Sequence, residues 1–257
     1  MPHTARVLLA VPAYNCAPQI GRVLDAVART ALGSVDKVVV IDNRSTDGTA
    51  DVAADRVAAL GERFAVWRNA ENYGLGGTHK VAFTHALDNG YDHVAILHGD
   101  DQADASELPR LVARAAAEPD AAAVLGSRFS RGSKRVGYSR TRTIGNLGIN
   151  ALFSAVALRP SVDLGSGLNV FATAPLRDRA FLEFDDRITF NIDLLLHYFS
   201  RRAKLVYEPI TWSEADQVSN ARNLQVGSTA VRKLVRWRLG RPEYQRVHAD
   251  YAFGALA

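Results

Sequence analysis

The stretch "DKVVVIDNRSTDGTADVAADRVAALGERFAVWRN", residues 36 to 69, carries the unit from which the fold is built. It begins with a run of β-branched residues, passes through a polar loop into a segment with helical spacing, and ends in a second apolar run. Short apolar runs bounded by turn residues are typical of strands that are buried on both faces. The stretch therefore predicts a strand, a helix and a second strand, which is the repeating unit of a parallel sheet.

The same alternation extends through the first half of the chain and favours an open, mostly parallel α/β sheet. Five apolar runs predict its strands, at residues 6–12, 36–42, 63–69, 93–99 and 121–127. The segments between them have helical spacing, and Asp47 and Ser106 are expected to cap two of the helices. Beyond residue 127 we expect helices around 143–158, 189–202 and 226–239, and strands at 167–172 and 204–208.

Length and composition predict one large domain. We expect it to span residues 1–225, with a first half to about 127 and a second half over 128–225, followed by a basic helix and tail over 226–257. The basic residues of this last helix either rest on an anionic membrane surface or are solvated while the helix packs on the domain. They are Arg232, Lys233, Arg236 and Arg238.

The charge balance does not favour a nucleic-acid partner. The 31 Lys and Arg residues outnumber the 27 Asp and Glu residues by only four, which suits an anionic small molecule equally well. Cys16 is the only cysteine, so an internal disulfide and a CxxC metal site are excluded. No apolar run approaches the ~20 residues of a membrane-spanning helix. We expect a cytoplasmic protein with at most peripheral contact at the inner face of the membrane, and a homo-oligomer stays open.

Polar clusters follow the first four predicted strands at one end only. They are "PAYN", "DNRSTDGT", "NAENYGLGG" and "GDDQAD", in chain order. In open α/β sheets, ligands bind in the crevice at the carboxyl ends of the strands. The sequence therefore predicts a ligand site formed by these four loops.

The loop "HGDDQ" offers ligands for a divalent metal. Asp100 and Gln102 are two residues apart, so in an extended segment their side chains point the same way. A carboxylate with a second oxygen donor can hold Mg2+ or Mn2+ while substrate phosphates and waters complete the coordination. His98 could join them from two residues earlier. The alternative is a solvated acidic turn that leads into the next helix and is capped by Asp104 or Ser106.

Two further features have a functional and a structural reading. Asp42 ends a predicted buried strand, where its carboxylate could accept from the N–H edge of a nucleobase, whereas Asp47 is typical of a turn. The arginine-rich segment 128–142 is either a solvated surface or a set of phosphate ligands.

Other signatures are weak or missing. "NYGLGG" resembles a phosphate cradle but lacks GxGxxG spacing and follows the third strand, so a Rossmann dehydrogenase is a poor match. The histidines show no zinc-like spacing, and His79 and His85 are expected to be solvated helix residues. Neither GxSxG nor HExxH occurs in the sequence.

Five motifs stand in register along the chain, namely "VPAYN", "VVVIDNRSTDGT", "NYGLGG", "HGDDQ" and "DLGSGLNVF". Together they resemble the family 2 inverting glycosyltransferases of the GT-A fold, and most closely the dolichyl/polyprenyl-phosphate sugar synthases. The resemblance covers roughly residues 5 to 225. It implies a GT-A fold, with a nucleotide-sugar half over about 1–127 and an acceptor-side half over about 128–225.

On the donor side, the resemblance implies a role for each matching position. The residues around the nucleotide would be Pro12, Ala13, Tyr14, Asn15, Asp42, Asn72, Gly74, Gly77 and Asp101. The loop that holds the two glycines would close over the nucleotide. The family motif D-x-D-x-Q falls on His98, Asp100 and Gln102, which would bind Mg2+ or Mn2+ together with the diphosphate. His98 replaces an aspartate, so one anionic ligand is missing.

On the acceptor side, the resemblance implies contacts to phosphate or acceptor from six residues. These are Arg128, Arg140, Arg142, Ser166, Gly167 and Ser219. Asp193 lies in a helix that faces the active site in this family. With His197 four residues further on, it could serve proton transfer. A solvated helix carboxylate is the alternative for Asp193.

The implied activity is metal-dependent inverting transfer of a hexosyl or pentosyl group from a nucleotide-diphospho-sugar to an acceptor oxygen. The acceptor would be a polyprenyl phosphate or a soluble small molecule, and only a hydroxyl acceptor would need Asp193 as its base. One alternative is a nucleotidyltransferase, which usually has a Gly-rich loop with Lys or Arg where this chain has "PAYNCAPQIG". The other is a non-catalytic nucleotide-sugar-binding protein, which would suit the replacement at His98.

Overall fold

An eight-stranded sheet forms the centre of the computed structural model, which describes residues 5–214 and 223–256. The strands of this sheet and of a small second one are β1 (Val7–Ala13), β2 (Lys37–Asp42), β3 (Phe64–Asn69), β4 (His93–Leu97), β5 (Ala121–Ser127), β6 (Lys134–Val136), β7 (Leu168–Ala172), β8 (Lys204–Pro209), β9 (Thr211–Ser213) and β10 (Phe253–Ala255). The order across the large sheet is β10, β3, β2, β1, β4, β7, β5 and β8. The predicted α/β class is confirmed, and the five strands of the first half lie within two residues of their expected bounds.

Parallel pairing joins β1 to β2 and β4, β2 to β3, and β5 to β8. The exception inside the sheet is β7, which runs antiparallel between β4 and β5. Because its direction is reversed, β7 begins where β4 ends, and Leu97 pairs with Leu168. This reversal carries the segment before β7 to the carboxyl edge of the sheet, next to the loop that follows β4.

Helices cover both faces of the sheet. They are α1 (Ala17–Thr30), α2 (Thr49–Leu60), α3 (Gly74–Asp88), α4 (Leu108–Ala117), α5 (Arg140–Ala157), α6 (Phe190–Ser200) and α7 (Asn223–Arg238). Successive residues of β1 face opposite sides, so Leu9 packs in the core with α1, α2 and α4 while Leu8 packs with α3 and α6. None of the helices in the described part of the chain is long and apolar enough to cross a membrane.

The C-terminal helix packs on the domain. Ala230 and Leu234 of α7 are buried in a third cluster with Phe153 of α5 and Phe199 of α6. Lys233, which the sequence placed on a basic surface, is 3% exposed, so the membrane-surface interpretation is wrong for this residue. Helical spacing shows which residues share a face, but not which face a neighbouring helix covers.

The chain after α7 returns to the first half of the molecule, which the sequence did not predict. Its strand β10 pairs antiparallel with β3 at the sheet edge, and Phe253 stacks on Trp67. Asp186 fixes the same segment, because its carboxylate accepts hydrogen bonds from the Tyr251 hydroxyl at 2.6 Å and from the Val247 N–H at 2.7 Å. Lys80 of α3 also donates to Asp186, at 2.6 Å, so α3 and the tail share one buried carboxylate.

Neither expected residue is the N-cap of an α-helix. Gly48 is the N-cap of α2, and Asp47 supports the start of this helix from one position earlier by accepting the N–H of Thr49 at 3.0 Å. Ser106 does not cap the following helix, because it is a donor here: its N–H is bound by the carboxylate of Asp104 at 2.9 Å. Asp104 was the alternative, and its carboxylate caps the short 3-10 turn Ala105–Glu107 that precedes α4.

Candidate active site

The loops after β1, β2 and β4 meet at the carboxyl edge of the sheet, as the polar clusters predicted. The Ser45 hydroxyl accepts the N–H of Asn15 at 3.0 Å, and the Asn15 side chain accepts the N–H of Thr46 at 2.9 Å. Gly99, after β4, donates its N–H to the carbonyl of Pro12 at 2.9 Å. Backbone and side-chain hydrogen bonds therefore hold the three loops together as one surface.

The backbone of these loops is strained. Asn15, Arg44 and Asp101 have φ angles of 49°, 63° and 60°, in the left-handed region that residues other than glycine rarely adopt. Each belongs to a different one of the three loops. Strain of this kind persists only where the surroundings fix it, and it often accompanies ligand sites.

Asp100 is a partly buried acidic group of this surface. Burial raises the pKa of its carboxyl to about 6, and the neighbouring charge of Asp101 acts in the same direction. Its Oδ1 accepts the N–H of Gln102 at 3.2 Å. Asp100 forms no ion pair with any residue that the structure describes. A cation at this place would supply the missing counter-charge.

The residues here fit a divalent metal that takes most of its ligands from the substrate. Nowhere in residues 5–214 and 223–256 do three His, Cys, Asp or Glu side chains group in a way that could hold an ion. Mg2+ commonly binds through one or two carboxylates together with substrate phosphates and waters. Asp100, with the amide of Gln102 beside it in sequence, satisfies that requirement without a closed cage.

His98 lies at the base of the same loop with its ring among buried groups. A Cβ on Gly167 would lie 3.1 Å from Nδ1 of His98, so a larger residue at this position would crowd the ring. The ring of His79 packs against that of His98 at 5.9 Å, and neither Nε2 has a hydrogen-bond partner among the described residues. Burial, with the charge of Arg128, lowers the pKa of His98 to about 4, so the ring is neutral. Its role as a metal ligand stays a prediction.

The expectation that His79 is solvated is wrong. Its side chain is completely buried, and burial lowers its pKa to about 3. Its Nδ1 donates to the carbonyl of Leu75 at 2.8 Å, one turn earlier in α3. The helix is enclosed by the sheet on one side and by Phe190 of α6 on the other, which helical periodicity alone does not reveal.

Two residues predicted to contact the nucleotide, Tyr14 and Asp42, differ in solvent exposure. Tyr14 is 43% exposed at the end of β1, directly after Pro12 and Ala13, so its ring is accessible. Asp42 is fully buried, with Oδ2 at 3.0 Å from Nε of Arg68 and Oδ1 accepting the N–H of Ser45 at 3.1 Å. The arginine balances the charge of Asp42. Recognition of a nucleobase by Asp42 stays a prediction.

An amide network that the sequence did not single out supports the same side. The Asn43 side chain donates to Asn72 at 2.8 Å and accepts from Asn69 at 2.9 Å and from the N–H of Tyr73 at 2.8 Å. Asn72 also accepts the N–H of Gly74 at 3.0 Å. Asn43 is part of the motif "DNRSTDGT". The spacing of the motif does not predict that Asn43 contacts residues about 30 positions later in the chain.

Close packing explains why glycines occur in "NYGLGG". Gly74 has a φ of 69°, and an added Cβ would lie 2.4 Å from the carbonyl oxygen of Asp186. A Cβ on Gly77 would lie 2.5 Å from the Cβ of Tyr73. The start of α3 therefore needs glycine to approach its neighbours closely, and closure of this loop over a nucleotide stays a prediction.

The predicted phosphate ligands differ in whether they are already paired. Arg128 binds Asp163 through two nitrogens, at 2.7 and 2.9 Å, and Nη1 of Arg142 lies 2.6 Å from both carboxylate oxygens of Glu214. Arg140, at the start of α5, is exposed and has no ion pair within the described residues. Of the three, Arg140 is the one that can meet an incoming anion without losing a partner.

The remaining acceptor-side predictions fall in the interior or outside the described residues. The Ser166 hydroxyl is buried and donates to the carbonyl of Gly126 at 2.6 Å, so it connects β7 to β5. Gly167 lies against His98, at the carboxyl end of β4. Ser219 lies outside the residues that the structure describes.

Asp193 is buried and paired. Lys233 of α7 donates to both of its carboxylate oxygens, at 2.8 and 2.9 Å, and the N–H of Asp185 donates to Oδ2 at 3.0 Å. Burial raises the pKa of Asp193, and the lysine partly offsets this. The alternative of a solvated carboxylate is therefore excluded, and the catalytic role of Asp193 stays a prediction. His197 lies 3.7 Å from Asp178 instead, so it is not the partner of Asp193.

Comparison with known proteins agrees with this geometry. The family described as Glycosyl transferase family 2 matches residues 9–183. The undecaprenyl-phosphate mannosyltransferase of Micrococcus luteus is 27% identical over 91% of this chain and 94% of its own length. The polyprenol monophosphomannose synthase of Mycolicibacterium smegmatis is 26% identical, over 83% and 79% of the two chains.

Solved structures share the fold. Glucosyl-3-phosphoglycerate synthase from Mycobacterium tuberculosis, in complex with UDP, superposes with a TM-score of 0.64 at 19% identity and covers 92% of this chain and 80% of its own. The same enzyme with Mn2+, UDP and glucosyl-3-phosphoglycerate gives a TM-score of 0.60 at 18% identity, over 98% and 87%. The expected GT-A fold is thereby confirmed.

Proposed function

The chain belongs to glycosyl transferase family 2, and we propose that it transfers a sugar from a nucleotide-diphospho-sugar to a polyprenyl phosphate, with inversion and with help from Mg2+ or Mn2+. The two relatives named above support the lipid-phosphate acceptor, because their names specify undecaprenyl phosphate and polyprenol. The complex of a structural neighbour with Mn2+ and UDP supports a metal-bound nucleotide. Family membership favours glycosyl transfer over the nucleotidyl transfer that the sequence left open.

The observation that carries the proposal is the partly buried carboxylate of Asp100, which forms no ion pair with any described residue. Its pKa is raised, and no neighbouring positive charge opposes the shift. A bound divalent metal would supply it, and would neutralise the charge that develops on the departing diphosphate. Asp100 and Gln102 would hold this metal, with Asp101 and the loop of Asn15 beside the nucleotide.

The chain's own residues have distinct tasks in this transfer. Arg140 would attract the acceptor phosphate, and Arg142 would join it by exchanging Glu214 for a phosphate oxygen. The phosphate attacks the anomeric carbon in line with the leaving diphosphate, which inverts the configuration at that carbon. An anionic phosphate oxygen has no proton to lose. Asp193 therefore needs no base function here, and we assign it to positioning α7 through Lys233.

The test begins with calorimetric titration of a panel of UDP-, GDP- and dTDP-sugars, with and without Mn2+ or Mg2+. We expect tight binding of one nucleotide only when metal is present, and loss of the metal effect in Asp100→Asn. The selected donor is then incubated with polyprenyl phosphate, and the product is identified by mass. Metal-independent binding would contradict the role of Asp100. Donor binding without transfer or hydrolysis under any metal would favour the non-catalytic alternative.

A further inference from the structure

The outer face of α5 is apolar and lies open. Ile144, Leu147, Leu152 and Leu158 are 72, 47, 40 and 82% exposed. The first three recur at helical spacing along one side of α5, and the last follows directly after its end. Gly145 and Gly148 lie among them, and an added Cβ at either would have nothing within 4 Å. We refer to Ile144, Leu147, Leu152 and Leu158 as the α5 stripe.

The opposite side of α5 is buried by packing against α6 and α7. Phe153 of α5 is buried against Leu234 of α7 and Leu195 of α6, and Ile149 packs on the same cluster. The helix is therefore apolar on two sides, although only one of them is covered within the described residues. From Thr143 to Leu158 it carries no charged residue. Exposed apolar side chains grouped along one helix face are typical of an interaction site.

The charge around the α5 stripe indicates the kind of partner. Residues 121–162 contain no Asp or Glu. Their seven basic residues exceed the net charge of +4 of the whole chain, so the rest of the molecule is net acidic by three. Two of them, Arg128 and Arg142, are neutralised by ion pairs with Asp163 and Glu214. The other five have no ion pair within the described residues, and they are Arg131, Lys134, Arg135, Arg140 and Arg159. Unpaired basic residues at both ends of an apolar helix face, such as Arg140 and Arg159 here, complement an anionic lipid surface, where charge and apolar burial both contribute to binding.

We infer that the α5 stripe lies in the interface of an anionic lipid bilayer, and that it does so without any spanning helix in the described residues. This rests on the proposed function, because a polyprenyl phosphate presents its phosphate at the level of the lipid headgroups. Arg140 forms the first residue of α5, so a helix lying in the interface brings this arginine to headgroup level. The bilayer surface is thereby assigned to α5 rather than to the basic residues of α7.

The experiment measures co-sedimentation of the whole protein with acceptor-free vesicles of phosphatidylcholine, with and without one third phosphatidylglycerol. We expect binding to the anionic vesicles that weakens as NaCl is raised, since salt screens the basic segment. In Ile144→Gln/Leu147→Gln, binding should fall about tenfold or more, because the apolar contribution is lost. The matched control is Val235→Gln/Leu239→Gln, which removes an exposed apolar pair from α7 and should change binding less than twofold.

Three outcomes would overturn the inference. The first is absence of binding to anionic vesicles, and the second is an equal loss in the α7 control. The third is a wild-type dimer in sedimentation analysis that the α5 variant converts to a monomer, which would make the α5 stripe a contact between copies.

A short-chain, water-soluble polyprenyl phosphate separates this inference from the proposed function. Loss of vesicle binding with retained turnover of that acceptor supports both. Vesicle binding without turnover of any acceptor would reject the proposed function alone.

Discussion

Asp100, which is partly buried, and Asp193, which is buried, both have a raised pKa, but their surroundings differ. Asp100, in the loop after β4, has no cationic partner in the described part of the chain. Asp193, on α6, has both oxygens bound by Lys233. The same contrast separates Arg140, which is exposed and unpaired within the described residues, from Arg128, which is held by Asp163. A raised pKa alone therefore does not identify a ligand-binding charge, whereas a charge without an ion pair indicates what the ligand must supply.

The largest expected effect comes from leaving Asp193 without its partner. Lys233→Met should lower the free energy of unfolding by about 3 to 5 kcal/mol, because it strands a buried carboxylate. Denaturant unfolding followed by circular dichroism measures this. Arg232→Gln, on the exposed side of the same helix, is the control and should change stability by less than about 0.5 kcal/mol. The double variant Asp193→Asn/Lys233→Met should recover part of the loss. If Lys233→Met lowers the free energy of unfolding by less than about 1 kcal/mol, Lys233 does not stabilise the charge of Asp193, and the contrast with Asp100 fails.

Asp100 should give the opposite pattern, with activity lost and stability kept. Asp100→Asn removes the negative charge that holds the metal, so kcat/KM for sugar transfer should fall about 100-fold or more. The thermal midpoint should not decrease, because no ion pair is broken. Asp104→Asn in the same loop preserves a cap acceptor and serves as the control for activity. Equal activities of the two variants would show that Asp100 does not hold the metal.

The two arginines extend the contrast to the acceptor side. Arg140→Gln should raise the KM for the acceptor about tenfold with little change in stability, since one exposed charge to phosphate is lost. Arg128→Gln should instead destabilise the fold, because Asp163 would stay buried without its partner. Arg29→Gln, at the far end of α1, controls for net charge. Steady-state kinetics with a water-soluble acceptor provide the measurement, and an unchanged KM in Arg140→Gln would reject its role.

The smallest effect concerns pH. Because the pKa of Asp100 is raised to about 6 in the folded protein, its ionised form costs stability above that pH, and this cost is relieved as the pH falls. In EDTA, the stability advantage of Asp100→Asn over the wild type should therefore shrink by about 1 kcal/mol between pH 7.5 and pH 5. Unfolding curves at the two pH values measure it. At pH 7.5, Mn2+ with nucleotide should remove the stability advantage of Asp100→Asn over the wild type. An advantage that does not change with pH would indicate that the charge of Asp100 is already balanced within the folded protein.

The sheet and the location of the candidate site could be predicted from the sequence, because both depend on residues that are close together in the chain. The strands of the first half are continuous apolar runs bounded by turn residues, so their bounds follow from composition. The polar clusters fall at one end of those strands, which places them at the carboxyl edge. Asp100, Gln102 and Asn15 were chosen as candidates in this way, and all three lie on loops at that edge.

What the sequence did not give depends on partners far apart in the chain. Lys233 meets Asp193 across 40 residues, and Lys80 meets Asp186 across 106. No spacing rule connects such positions, so paired and unpaired charges look alike in the sequence. The burial of His79 was missed for a related reason, because α6 covers a face of α3 that the pattern of α3 does not reveal.

The left-handed backbone at Asn15, Arg44 and Asp101 has a consequence for laboratory evolution of this enzyme. A library randomised at these three positions and selected for thermal survival should accumulate glycine, since glycine adopts this conformation without steric cost. A library selected for turnover should keep the side chains that link the loops, among them Asp101 with its contact to Arg22. The two selections should therefore differ most at these three positions. Variants selected only for thermal stability are expected to lose activity through substitutions there.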